Sequence, residues 1–502
     1  MELQFQQIPF EYLRCVLQKC GTQEESTELI VPDRLPDVER ILSTNACVCV
    51  REKECRQGAA TVSGGIKTAI LYADESSDTP YKLESYLPFS VRIDHSDITE
   101  ESEVSVSASV ASVDAKILNS RKVHLRVLVS YCVAIYDAAT DICYSCDGQP
   151  DNLQVKNEEY RLLLPRAYAE RNFTVTDGLL LPQSEDRTND VIFVRAEAEI
   201  SEKRLAGDKA VFKGTVNCEA SYLAEDGRFC TQTLQIPFSQ FCEMQETFDD
   251  SAILTVTAAI SDCSWELVTN PNSLEISVNL TVQCMISVPL AVTVTDDAYC
   301  LHHDFTPNFR QYAFDTRLDL QTQTDPVRAF AEADVREVLD AHVFLGTPTV
   351  KRDNGTASVC VPSKSEVLYR DGENRLQCVK TEYESAFTCS LCDGAQVIPE
   401  AALCSGVSAV PTGNGIEVRY TVCLTCDTTA QWTQSTIIGG EISERASKDA
   451  CPQLIAKRVE GKQPLWDIAK AYDTTVKRIC NVNGIESDWF ADGVLLIPTE
   501  RK

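Results

Sequence analysis

A mainly β chain is predicted, with three tandem β-sandwich-like repeats followed by a small β-α-α-β domain. Three observations predict it. Runs with one apolar face at period two recur, most plainly Val104 to Val110 and Ile276 to Val282, the pattern of half-buried antiparallel strands. A unit built around a tyrosine, a polar turn and a phenylalanine returns at steady spacing. Tyr72 to Tyr222 is 150 positions and Tyr222 to Tyr369 is 147. Finally, the stretch 457–498 switches to helical periodicity between two short apolar strands.

The first repeat, 1–155, opens with Asp37-Val38. It then carries a Gly64-Gly65 hinge, Ala69-Ile70-Leu71-Tyr72, an acidic turn and Leu87-Pro88-Phe89, and closes on the run Val123–Tyr131. The second, 156–305, has Asp190-Val191, Gly214, Glu219-Ala220-Ser221-Tyr222, the turn Glu225-Asp226-Gly227, Ile236-Pro237-Phe238 and the run Leu274–Val282. The third, 306–440, has Asp334-Val335, Glu366-Val367-Leu368-Tyr369, Arg370-Asp371-Gly372, Tyr383 to Phe387 and the run Ile416–Val422. Asp-Gly between alternating runs signals a hairpin turn. A period of about 150 residues is too long for a solenoid unit and fits one sandwich per copy. Residues 156–182, with Pro165 and Pro182, and residues 300–328 are expected as joins. Gly439-Gly440 and the polar run to Pro452 predict a linker over 441–455.

In the last domain, 456–500, Lys457–Val459 and Val494–Ile497 are the strands. Leu465, Ile468, Ala469 and Tyr472 fall at i, i+3, i+4, i+7, with Pro464 at the first helical position. The second helix is capped by Thr474 or Thr475, turns Val476, Ile479 and Cys480 inward, and ends at Asn483-Gly484.

Across its 502 residues the chain has a net charge of −29. Residues 455–502 carry eight Lys/Arg and seven Asp/Glu, so the rest holds −29 − 1 = −30. Such a body repels nucleic acid and anionic membrane and favours neutral or basic partners. The N-terminus lacks the basic start and apolar core of a signal peptide, and no stretch approaches a membrane span. The expected place is the cytosol. There the 23 cysteines read as reduced, buried thiols acting as small hydrophobes.

Val459, Leu465-Trp466, Ile468-Ala469, Tyr472, Thr475, Asn483, Gly493 and Leu496-Ile497-Pro498 give the terminal segment its family character. It resembles the LysM domain. The stretch VPDRLPDVERIL, a glycine ahead of AILYAD, and LPF resemble the SPOCS domain of clostridial spore-coat proteins. SPOCS-type repeats followed by LysM are the layout of SipL-like spore-coat morphogenetic proteins. The resemblance implies a non-enzymatic scaffold in the mother-cell cytosol at the forespore surface and spore coat. Its implied partners are a coat morphogenetic ATPase, bound through LysM, and other spore-coat proteins. The rival reading is a peptidoglycan or cortex glycan binder.

In glycan-binding LysM domains the groove lies between the loop before the first helix and the loop after the second. These members commonly carry Gly-Asp-Thr or Gly-Asp-Ser before Leu-Trp. Here those positions are Lys462-Gln463-Pro464, which removes the acid and restricts the backbone. The departure favours a protein-binding surface over sugar. The candidate partner or glycan surface is Lys462, Gln463, Pro464, Asn483, Gly484, Ile485, Trp489 and Phe490. Trp466 reads as LysM core. Trp489-Phe490 reads either as an exposed anchor or as a plug under the loop.

No cofactor or metal is expected. Three CxxC pairs occur, Cys143–Cys146, Cys389–Cys392 and Cys423–Cys426. On a strand i and i+3 point to opposite faces, so Cys423 and Cys426 cannot chelate one ion. Cys284 and Cys426 fall at matching points of their repeats, as core residues would. Asp262-Cys263-Ser264 resembles the opening of cell-wall cysteine peptidases, yet Cys263 continues an alternating run where the first copy has Val113. A catalytic thiol needs a low pKa and a histidine base. Gly64-Gly65-Ile66-Lys67-Thr68 lacks the phosphate-loop spacing. No catalytic constellation is predicted.

Overall fold

The computed structural model describes residues 2–74, 80–146, 153–181, 188–224, 228–269, 272–353, 355–392, 394–445 and 452–499. A short strand, β1 (Glu2–Gln4), precedes β2 (Gln6–Ile30), β3 (Arg40–Arg56), β4 (Ala59–Ala73), β5 (Tyr81–Asp94), β6 (Glu103–Asn119) and β7 (Lys122–Ser145). Then come β8 (Leu153–Leu180), β9 (Thr188–Ala206), β10 (Lys209–Ala224), β11 (Phe229–Glu243), β12 (Ile253–Thr269) and β13 (Asn272–Cys300). They are followed by β14 (His303–Glu332), β15 (Glu337–Leu345), β16 (Thr349–Asp353), β17 (Thr356–Arg370), β18 (Leu376–Ser390), β19 (Ala395–Thr412) and β20 (Gly415–Glu444). The chain is mainly β.

The sheets pair in a recurring order. One kind is a meander: β3-β4-β5, then β9-β10-β11, then β17 flanked by β18 on one side and by β15 and β16 on the other. The other kind has a long central strand: β2-β7-β6, β8-β13-β12 and β14-β20-β19. Period two explains the central strands. On β13 every second residue from Leu274 to Ile286 is buried, and these side chains share a core with β10 and β11 of the facing sheet. Val123, Leu125, Val127 and Val129 do the same on β7, and Ile416, Val418, Tyr420, Val422 and Leu424 on β20. Tyr72, Tyr222 and Tyr369 are buried on the middle strands β4, β10 and β17, opposite Ile41, Val191 and Val338.

Several expectations are corrected. Residues 156–182 and 300–328 are not joins, because β8 and β14 run through them. Both are sheet-edge strands, so their faces alternate weakly, and Pro165 sits beside a bulge where no ladder N–H is needed. Pro182 and Glu225-Asp226-Gly227 lie outside the described residues. Gly64-Gly65 is no hinge but mid-strand in β4. A Cβ on Gly64 would meet the Cys49 carbonyl oxygen at 2.0 Å, beside a bulge in β3. Gly439-Gly440 lies inside β20, where Gly439 faces the Leu3 carbonyl of β1, so the expected linker begins within a strand. Asp371-Gly372 does turn the chain, but Asn374 takes the positive φ, 67°, while Asp371 accepts from the N–H groups of Glu373 and Arg375. Asp37 and Asp334 stand three residues before the matched positions Arg40 and Glu337, whereas Asp190 occupies the matched position itself. The shared Asp-Val pair is therefore coincidental at the second copy. Cys20 and Cys132, opposite each other on β2 and β7, form a disulfide, which corrects the expectation of thiols throughout.

The three meanders meet. β3, β9 and β15 each carry a bulge near the start of the strand, at Leu42, Ile192 and Leu339. Leu42 and Ile192 enter one apolar cluster with Leu71, Leu223, Phe229, Leu368 and Leu376, and Leu339 packs against it. Beside this cluster Arg195 donates to Asn45 at 2.5 Å and to Asp340 at 2.7 Å. Thr44 donates to Glu366 at 3.0 Å. A second cluster joins the far ends of the long strands through Tyr144, Leu164, Val292, Tyr312, Phe314 and Ile437.

Leu42→Ala is expected to lower stability by roughly 2–5 kcal/mol, the cost of a core cavity. Ile30→Ala, at a site 74% exposed, should change it by less than about 0.5 kcal/mol. Denaturant unfolding of the full chain measures both; equal effects would contradict a central apolar junction.

Candidate functional site

The last domain begins with β21 (Leu454–Val459) paired antiparallel to β24 (Gly493–Pro498), with α1 (Leu465–Ala471) and α2 (Val476–Asn483) between them. Two-residue strands β22 (Gln463–Pro464) and β23 (Trp489–Phe490) pair with each other. Leu465, Ile468 and Ala469 of α1, Ile479 of α2, and Val459, Leu495 and Ile497 of the strands form the core. Pro464 is the N-cap of α1 rather than its first helical residue. Thr475 caps α2 by accepting from the Arg478 N–H at 3.2 Å, and Gly484 ends it in the left-handed region.

The eight candidate residues fall into two groups. Asn483 donates to the carbonyls of Ile479 and Leu496 and accepts from the Leu496 N–H, at 2.6–2.8 Å. Its amide is a strut between α2 and β24. Gly484 turns the chain, and Ile485 packs against the core. The other five come together at one edge. Gln463 pairs with Phe490 and Pro464 with Trp489, and the Leu465 N–H donates to Asp488 at 2.8 Å. The loops on either side of the expected groove are thus joined through their backbones. Phe490 packs against the core, whereas Trp489 is 48% exposed. Lys462 Nζ lies 5.0 Å from the centre of the Trp489 ring, a cation–π distance.

Trp466 packs against the LysM core and has a second role that the sequence does not show, a contact with the body of the protein. Its Nε1–H donates to Asp297 at 2.8 Å, and its ring meets Tyr299 edge-on at 5.0 Å. Lys470 pairs with the same carboxylate at 2.7 Å. Tyr299 donates to the Thr474 carbonyl at 2.7 Å, and Arg445 bridges Asp304 and Asp473 at 2.6 Å each. Asp297, Tyr299 and Arg445 were not visible as site residues in the sequence. Their one signal is that Asp296-Asp297 breaks the alternation near the end of β13.

Cys263 is buried, and burial pushes its thiol up to about 12. Cys423 is partly exposed and Cys426 buried, on opposite faces of β20, and Cys392 is exposed.

Residues 37–118 and 188–268 match the family model described as SipL, SPOCS domain. Residues 465–488 match the LysM domain. The chain is SipL-like, carrying SPOCS domains and a LysM domain. The two SPOCS matches cover the same elements, β3–β6 and β9–β12. These are non-catalytic binding domains, and together they point to a sporulation protein with a peptidoglycan-binding type of module. No curated protein matches the chain, and no solved structure does. Among the described residues no helix is long and apolar enough to cross a membrane.

Burial alone would raise the Asp297 carboxyl, but hydrogen bonds from Lys470 and Trp466 outweigh it together and hold the group below its ordinary value. The stabilisation it lends LysM docking is therefore complete above roughly pH 4, the unfolded value, and is lost as pH falls through the lowered folded value. Asp297→Asn should open the contact at neutral pH by about 1 kcal/mol, near fivefold, after allowing for solvent screening. Hydrogen exchange at 465–474 in the full chain reads this; wild-type protection in the variant would contradict it.

Proposed function

We propose that this chain is a non-enzymatic scaffold of the spore envelope. It acts from the mother-cell cytosol on the forespore surface, with LysM as its clasp on a coat morphogenetic ATPase. We read β14–β20, whose pairing order repeats that of the two preceding sets, as a third SPOCS-type sandwich. The three together offer other coat proteins an acidic, multi-domain surface.

The observation that carries the reading is the edge formed by Lys462, Gln463, Pro464 and Trp489. A glycan-binding LysM commonly places an acid at the middle of the 462–464 triplet. Here a lysine covers a half-exposed tryptophan and a proline is strapped to it. A basic, aromatic edge suits an acidic or neutral protein surface, with the indole as a central anchor. Peptidoglycan remains the rival ligand because the LysM match itself favours it.

The full-length protein should bind the ATPase and sediment poorly with insoluble peptidoglycan. Trp489→Ala should weaken the ATPase contact by roughly 2 kcal/mol, about thirtyfold, with folding unchanged. Replacing 462–464 by Gly-Asp-Thr should weaken it further and raise retention on peptidoglycan. Trp466 is a poor probe, since its loss undocks the domain. Tight peptidoglycan binding with no affinity for the ATPase would hand the assignment to the rival.

A further inference from the structure

A buried carboxamide stands on the outward face of β13. Every second residue from Leu274 to Ile286 points into the core, so Gln283 points the other way, yet it is only 2% exposed. Val106 of β6 and Lys53 of β3 meet it there. Gln283 Oε1 accepts from the Val106 N–H at 2.8 Å, and its Nε2 donates to the Val106 carbonyl at 2.8 Å. Directly across the ladder stands Glu170, with Tyr168 two residues away on the same face of β8. Lys53 Nζ lies 3.2 Å from Gln283 Oε1, 3.1 Å from the Tyr168 hydroxyl and 2.8 Å from the Val104 carbonyl. It is also paired with Glu170. The Tyr168 hydroxyl is 3.2 Å from Gln283 Oε1 and 3.0 Å from both Glu170 and the Val104 carbonyl.

The other two sets of strands show that the fold does not require an amide here. Glu170–Gln283 is the ladder pair four residues past the β8 bulge at Arg166. The matching pair past Val16 is Cys20–Cys132, which is disulfide-bonded. Past Leu318 it is Thr322–Thr425, with hydroxyls 3.1 Å apart. Of the three, the second alone sets a carboxamide beside a lysine. A salt bridge between Lys53 and Glu170 would need no amide at 283.

We propose that Lys53 and Gln283 join in an isopeptide bond that forms within the folded chain and ties the first set of strands to the second. Folding supplies the proximity that the reaction needs. Glu170 takes one proton from the Lys53 ammonium, which leaves a neutral amine with a lone pair. The amine attacks Gln283 Cδ, one bond from the oxygen it already contacts. Negative charge gathering on Oε1 meets the Val106 N–H and the Tyr168 hydroxyl, two donors in place before the reaction. Burial raises the Tyr168 pKa, so the phenol remains a donor. Glu170 passes its proton to Nε2, the Cδ–Nε2 bond breaks and ammonia leaves. The second amine proton, shed as the new amide forms, goes out with it as ammonium. One C–N bond forms, one breaks, and no oxidant or reductant is consumed. The reaction runs once per chain, so it adds no turnover to a scaffold.

Intact mass and peptide mapping of the reduced, denatured full chain test this. The expected mass is lower than that of the sequence by one ammonia per chain. The peptides holding Lys53 and Gln283 should be joined, with Lys53 closed to trypsin and to acetylation. Lys53→Met and Gln283→Met should each restore the full mass expected of their sequences. Glu170→Ala retains both partners and should leave them unlinked; a link that persists there would overturn the step given to Glu170. Should a variant misfold, the map of the unsubstituted chain decides alone. A full mass with Lys53 acetylated after unfolding would overturn the proposal, as would an ammonia loss mapped to other residues.

Discussion

Arg195 is the side chain on which the arrangement of the body turns. It stands on β9, yet its guanidinium reaches Asn45 on β3 and Asp340 on β15, and it also pairs with Glu219 at 3.2 Å. A buried charge of this kind must be matched by well-placed partners, because desolvation otherwise exceeds what the pair returns. The match requires three separate meanders to approach at fixed register. His342, close to Asp340 and hydrogen-bonded to the Thr44 carbonyl, is held neutral by its burial, with a pKa lowered to about 4. The adjoining apolar cluster supplies non-directional attraction, and the polar network supplies the register.

From that junction the long strands run outward to their second meeting point, and the end of β13 presents Asp297 and Tyr299 to α1. The LysM domain is thus held by its Trp466 and Lys470 side, while Trp489 and Lys462 stay accessible. A clasp fixed at one face and open at another gives a partner a surface of defined orientation, which cuts the ordering cost of binding.

Much of this was legible in the residues. Alternation along β7, β13 and β20, the tyrosines of β4, β10 and β17, and the LysM helices all follow from periodicity and caps. Edge strands β8 and β14 escaped notice because a strand exposed on much of its surface has no apolar rhythm, and a proline at a bulge resembles one in a loop. The central junction was invisible for a different reason. Asn45, Arg195 and Asp340 read as surface residues until partners distant in sequence bury them. Within the candidate site, Trp489-Phe490 reads in sequence as one unit, anchor or plug, whereas the fold leaves Trp489 half exposed and packs Phe490 against the core. The docking role of Trp466, beside its packing against the LysM core, was hidden because a core position and a docking contact look alike in one dimension.

Hydrogen exchange on the full chain, with and without the coat morphogenetic ATPase, tests the central claim most directly. New protection is expected at 462–464 and 486–490, with protection at 465–474 already present in the free protein. ATPase binding that leaves 462–464 and 486–490 unprotected, with the same segments protected by peptidoglycan fragments, would contradict it.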